Sequence, residues 1–134
     1  MIDRIIIPPT LHRGFGELVM LTTLVTAFFL IYLAWRKQSL NGWAQGLTIG
    51  SQLALMGQAL LGIKLLDQGM GTMQLYVHYL GGLGPLLFFL LLYWFPSRDA
   101  IRQTRWAALA ASGALLFAIL SYTIGGLYAT GGLS

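Results

Sequence analysis

The sequence predicts an all-α integral membrane bundle of four transmembrane helices with both termini on the non-cytoplasmic side. Three observations predict it. The 134 residues are 57% hydrophobic and only 9% charged, against about 25% charged in soluble domains. Four apolar stretches approach or reach the roughly 20 residues that a bilayer-spanning helix needs. The basic residues gather at two of the three connections between those stretches, which sets a topology. Residues 1–134 read as a single membrane domain.

The first helix is expected over about 10–36. Its apolar core is 18–35, and Pro8 and Pro9 stand before or in its first turn, where a missing N–H costs nothing. The apolar run 5–7 ahead of them is too short for a cleavable signal. The second helix is expected over 43–66, opening at Trp43. The third covers 76–95 and is stopped by Pro96; the fourth covers 106–128 and gives way to a breaker-rich tail.

Arg36 and Lys37 lie between the first and second helices, and Arg98, Arg102 and Arg105 between the third and fourth. These five of the eight basic residues mark the cytoplasmic side. Arg4, Arg13 and Lys64 fall on the other side with Asp3, Glu17 and Asp67. Trp35, Trp43, Trp94 and Trp106 all reach the cytoplasmic boundary, as interfacial aromatics do. The net charge of +4 is thus spent on topology, and no nucleic-acid patch is formed. With no cysteine, thiolate catalysis and cysteine-held clusters are excluded. No Ser–His–acid arrangement is legible. Glu17, Asp67 and Asp99 sit at helix ends, so no mid-bilayer carboxylate points to a transporter.

The chain has two histidines, His12 and His78, each near the outer end of an odd-numbered helix. Their surroundings repeat in outline. His12, Gly14 and Gly16 precede an apolar run, basic residues, Trp43 and a helix reaching Gly62; His78, Gly81, Gly82 and Gly84 precede the same series, with Trp106 and Gly125. A 2+2 parallel repeat about an axis along the membrane normal would set the histidines on opposite sides of a four-helix bundle. Two imidazoles facing each other suit a haem iron. Gly16, Gly81 and Gly82 lie within a turn of the histidines, and would leave room for a flat ring or for a neighbouring helix. Arg13, Lys64 and Arg4 are either partners for propionates or cations reaching lipid headgroups. Gln52 and Gln58, inside the second helix, either touch a ligand edge or bond between helices. Counted from the inner basic residues, the two histidines are offset in depth by roughly 6 Å.

Leu11-His12-Arg13 heading a helix that ends in Trp35-Arg36-Lys37, then Gln58-x-x-Leu61-Gly62, then Val77-His78-Tyr79-Leu80, then Ile124-Gly125-Gly126-Leu127, together resemble one four-helix half of the haem A synthase family. The resemblance runs over nearly the whole chain, in short apolar pieces. It implies one haem held by His12 and His78 near the outer surface. The catalytic half of that family carries a glutamate four residues before its first histidine; here that residue is Pro8. The resemblance is closer to the half that holds haem b as a cofactor, and haem A synthesis is not inferred.

The function expected is therefore a membrane cytochrome b-like protein, with bis-histidine haem b serving electron transfer to or from a quinol or a larger membrane redox complex. Its expected location is a prokaryotic cytoplasmic membrane. Two other readings stand beside it. One is a cofactor-free structural subunit of a respiratory or photosynthetic complex, with Gly57, Ala59 and Gly62 as helix contacts. The other is a pigment-binding subunit with one histidine per chlorophyll-type magnesium.

Overall fold

The computed structural model describes residues 6–69 and 75–129, and their side chains except those of 75–78 and 128–129. It contains four helices: α1 (Pro9–Trp35), α2 (Gly42–Asp67), α3 (Leu75–Trp94) and α4 (Ala100–Ala129). Three of them are long and apolar enough to cross a membrane: α1, α2 and the stretch Ala100–Leu127 of α4. In α3 the described apolar stretch is Tyr79–Trp94.

Local chemistry sets the helix ends. Pro8 is extended and Pro9 opens α1, where its fixed φ is already helical. Lys37, at φ 52°, turns the chain out of α1. Asn41 caps α2 by accepting from the Ala44 N–H at 2.9 Å. At the far end of α2, Gly69 takes φ 75° and donates to the Leu66 carbonyl at 2.8 Å. Gln68 then pins the chain ahead of α1 to this end. Its side chain accepts from the Ile7 N–H at 2.6 Å and donates to the Ile7 carbonyl at 2.9 Å. The sequence reading starts the last helix at 106, but α4 begins at Ala100. The Asp99 carboxylate accepts from the N–H groups of Ile101 and Arg102, at 2.9 and 3.1 Å, so a helix is nucleated about one and two-thirds turns before the apolar run.

Neighbours in sequence pack antiparallel, and the ring closes where α1 meets α4; α2 touches α3 only lightly. Thus α1 and α3 occupy opposite corners. We call the end where α1 and α3 begin the upper end. Many buried residues are small or weakly polar: Ala107, Ala111, Ala114 and Ala118 form a stripe on α4, and Thr23, Thr26, Ser51 and Thr104 are fully buried, beside the larger Leu30, Leu33, Leu55 and Phe89. Many large apolar side chains also face outward, among them Leu21, Phe28, Leu53, Leu60, Leu83, Leu109 and Leu116. A water-soluble bundle would cover most of its outer face with polar groups. Helices in lipid gain little from hiding apolar surface, and associate through close packing and hydrogen bonds instead.

Both kinds of contact are present. Between α3 and α4, a Cβ added at Gly84 would lie 2.5 Å from the Phe117 ring, and one at Gly113 would lie 2.7 Å from the Phe88 ring. Each helix therefore receives a phenylalanine of the other over a glycine. The two rings meet at 5.5 Å between centroids, tilted by 55°. Pro85, buried in α3, withholds the N–H that would reach the Gly81 carbonyl. Between α1 and α2, the Thr26 and Ser51 hydroxyls lie 2.7 Å apart, and Thr26 also donates to the Leu47 carbonyl at 3.2 Å.

Candidate functional site at the upper end

His12 is the fourth residue of α1, on its first turn. The ring is half-buried and lies against α2. Its Cε1 is 3.3 Å from where a Gly62 side chain would begin, and its Nε2 is 3.2 Å from Gln58 Nε2. With an amide nitrogen as its neighbour there, His12 Nε2 is the acceptor and Gln58 the donor. The other Gln58 amide atom, Oε1, is buried without a hydrogen-bond partner among the described residues. Phe15, one turn below His12, presses on Gly57, where an added Cβ would lie 2.9 Å from its ring. The glycines of α2 thus let the first two turns of α1 approach closely.

Gly16 faces inward too. A Cβ there would meet Gln58 Nε2 at 3.3 Å and the Tyr122 ring of α4 at 3.6 Å. Tyr122 then donates to Glu17 at 3.2 Å. Sequence reasoning placed Glu17 at this end but did not find Tyr122 or their pairing, although a phenol in an apolar helix generally needs a partner. Outside this contact, Glu17, Met20, Leu21, Leu24 and Tyr122 line an open groove of about 310 Å³ on the α1–α4 seam.

Gly81 is pressed against α4, where an added Cβ would lie 2.6 Å from Ser121 Cβ and 3.1 Å from its Cα. Gly82 has nothing within 4 Å of the place a side chain would start. Arg13 is exposed. Lys64 is committed to Asp67 at 2.6 Å, with its own side chain only 14% exposed. The side chain of His78, and Arg4 and Asp3, lie outside the described residues. Residue 78 itself is the fourth of α3, as His12 is of α1.

The helix register gives the relative depth of the two histidine positions. Gly16 and Gly81 meet α4 at adjacent residues, Tyr122 and Ser121. Residues 12 and 78 stand four and three positions above those glycines. The two therefore share a level to within about one helical turn, roughly 5 Å. Counting from the inner basic residues gives a similar figure, roughly 6 Å.

Among the described residues no three His, Asp or Glu side chains converge on one point. The iron of a porphyrin brings ring nitrogens as ligands of its own and so asks for fewer from a protein. Several features fit such a group: a half-buried imidazole facing inward, an orphaned amide oxygen beside it, and open space at Gly82. One feature must yield, since Gln58 occupies His12 Nε2. Comparison with known proteins finds no family model, no curated protein and no solved structure that matches the chain.

Proposed function

We propose that this protein is a multi-pass membrane cytochrome b-like protein that holds one haem b between His12 and His78 and serves single-electron transfer. The reading takes all four helices as membrane spans, with both termini outside the cytoplasm of a prokaryotic cell. The observation that carries it is that residues 12 and 78 stand within about one helical turn of each other in depth, on parallel helices at opposite corners of the ring. Two further facts support it. His12 faces inward, with Gly62 on the wall beside it. Carrying the Gly81–Ser121 pairing outward sets residue 78 level with about 124–125, so each histidine position is matched by a glycine near the end of its partner helix. That correspondence supports a 2+2 repeat, and with it the likeness to a haem b-binding half of haem A synthases.

Bound there, haem b would supply one-electron chemistry. His12 and His78 would hold the metal, Gly82 would leave room beside α3, and Gln58 would have to release His12 Nε2. Among the described residues, Arg13 and Lys64 are the cations at this end that would be offered to propionates, Lys64 being shared with Asp67. A quinol or a larger membrane redox complex is the partner class. Pro8 stands where the catalytic half of the haem A synthase family places a glutamate, so haem A synthesis is not part of the proposal.

The test is a reduced-minus-oxidised spectrum of the detergent-purified protein, with pyridine haemochromogen quantification. About one b-type haem per chain is expected, lost in both His12→Ala and His78→Ala. Full haem in either variant would overturn the assignment. A colourless protein purified without cofactor stripping would favour a cofactor-free structural subunit, the reading to which the Gln58–His12 contact lends weight.

A further inference from the structure

We propose that Arg102, Arg105, Trp106 and Leu109 form a seat for one anionic phospholipid at the lower end of α4. The inference rests on the membrane reading of α4 and not on haem. Because α4 begins at Ala100, these residues stand on a helix rather than in a connection. Their spacing of three, four and seven puts them on one face, and together they line an open groove of about 340 Å³. The other face of the same turns is buried through Thr104, Ala107, Ala108 and Ala111. The stripe therefore cannot turn inward, and Trp106 and Leu109 are 52% and 63% exposed.

The frame is fixed before any ligand arrives. Asp99 caps the helix, and the Ser97 N–H donates to the Gln103 side chain at 2.6 Å. The two guanidinium groups remain available: among the described residues the one ion pair is Lys64–Asp67. Asp99 stands near them but spends its Oδ1 on backbone N–H groups. Two guanidinium groups one turn apart are donors suited to a phosphodiester.

A free phosphate would use only those two groups. The stripe continues, however, from Arg102 through the Trp106 indole to Leu109, about 10 Å along the helix axis. Charge, then interfacial aromatic, then aliphatic is the order met on going from a headgroup through the interface to an acyl chain. That order commits the seat to a lipid.

The experiment is native mass spectrometry of the full chain in detergent with mixed phosphatidylglycerol and phosphatidylcholine. One phosphatidylglycerol should be retained in preference to phosphatidylcholine. Arg102→Gln with Arg105→Gln should weaken that preference about thirtyfold, while Arg36→Gln with Lys37→Gln leaves it unchanged. Equal losses from both pairs, or displacement of the lipid by millimolar inorganic phosphate, would overturn the proposal. Should the double variant fail to fold, brominated lipids decide on the native protein. Brominated phosphatidylglycerol should quench tryptophan fluorescence more than brominated phosphatidylcholine, and the excess should vanish in Trp106→Phe. An excess that survives in Trp106→Phe overturns the seat.

Discussion

At Gly81, Gly84 and Gly113 a single hydrogen in place of a methyl group decides how closely α3 and α4 approach. Gly81→Ala puts a Cβ against Ser121 backbone as well as side chain, so a rotamer change cannot relieve it. It should destabilise the protein by about 1–3 kcal/mol in a detergent unfolding titration, and Ser121→Gly should recover part of the loss. Gly14 and Gly46, with nothing near them, should accept alanine without loss. The Thr26–Ser51 pair is the polar counterpart on the α1–α2 side. Thr26→Val removes two hydrogen bonds, and should cost about 0.6–1.7 kcal/mol in the same titration. These roles were only half legible. Glycine at a lipid-embedded contact can be read from sequence, but not which neighbour it admits. Gly81 and Gly82, adjacent in sequence, meet a tight wall and open space respectively. The Gln58–His12 contact was legible as interhelical bonding in kind, without its partner.

Helix existence follows from apolar length, and all four helices were legible for that reason. The start of α4 was not. The apolar run begins at Trp106, yet the helix begins where the Asp99 carboxylate satisfies two free N–H groups. Those backbone bonds, from Arg102 first and then Ile101, hold the Asp99 carboxyl below its ordinary pKa, with the nearby Arg102 and Arg105 charges adding to them. A carboxyl lowered by folding supports the fold above the usual aspartate range, and its support is lost as pH falls through the folded value. Hydrogen-exchange protection at Ile101 and Arg102, corrected for the intrinsic pH dependence of exchange, should fall on acidification through and below that range. Asp99→Ala should show the reduced protection already at neutral pH. Asp99→Asn, which keeps a capping oxygen but not the charge, should lose the pH dependence.

Among the described residues many large apolar groups face out while small ones fill much of the interior, and charge divides between the two ends. The proposed orientation puts the connection 36–41 inside the cell and the start of α1 outside. Since the chain has no cysteine, single substitutions report this directly. In intact cells a membrane-impermeant maleimide should label Thr10→Cys and leave Ser39→Cys untouched until the membrane is broken. The reverse pattern would invert the topology and move the histidine end to the cytoplasm. The ring order itself was not legible in sequence beyond the 2+2 outline, because hydropathy carries no record of which helix faces which.

The seam between α1 and α4 joins residues as far apart as Glu17 and Tyr122, 105 positions along the chain. Without α4, α1 loses one of its two main neighbours, and Gly16, the residue one turn below His12, lacks its Tyr122 contact. The environment of the upper end is therefore set by residues from both ends of the described chain, and truncation ahead of α4 should disturb His12 although its Gln58 and Gly62 contacts both lie on α2.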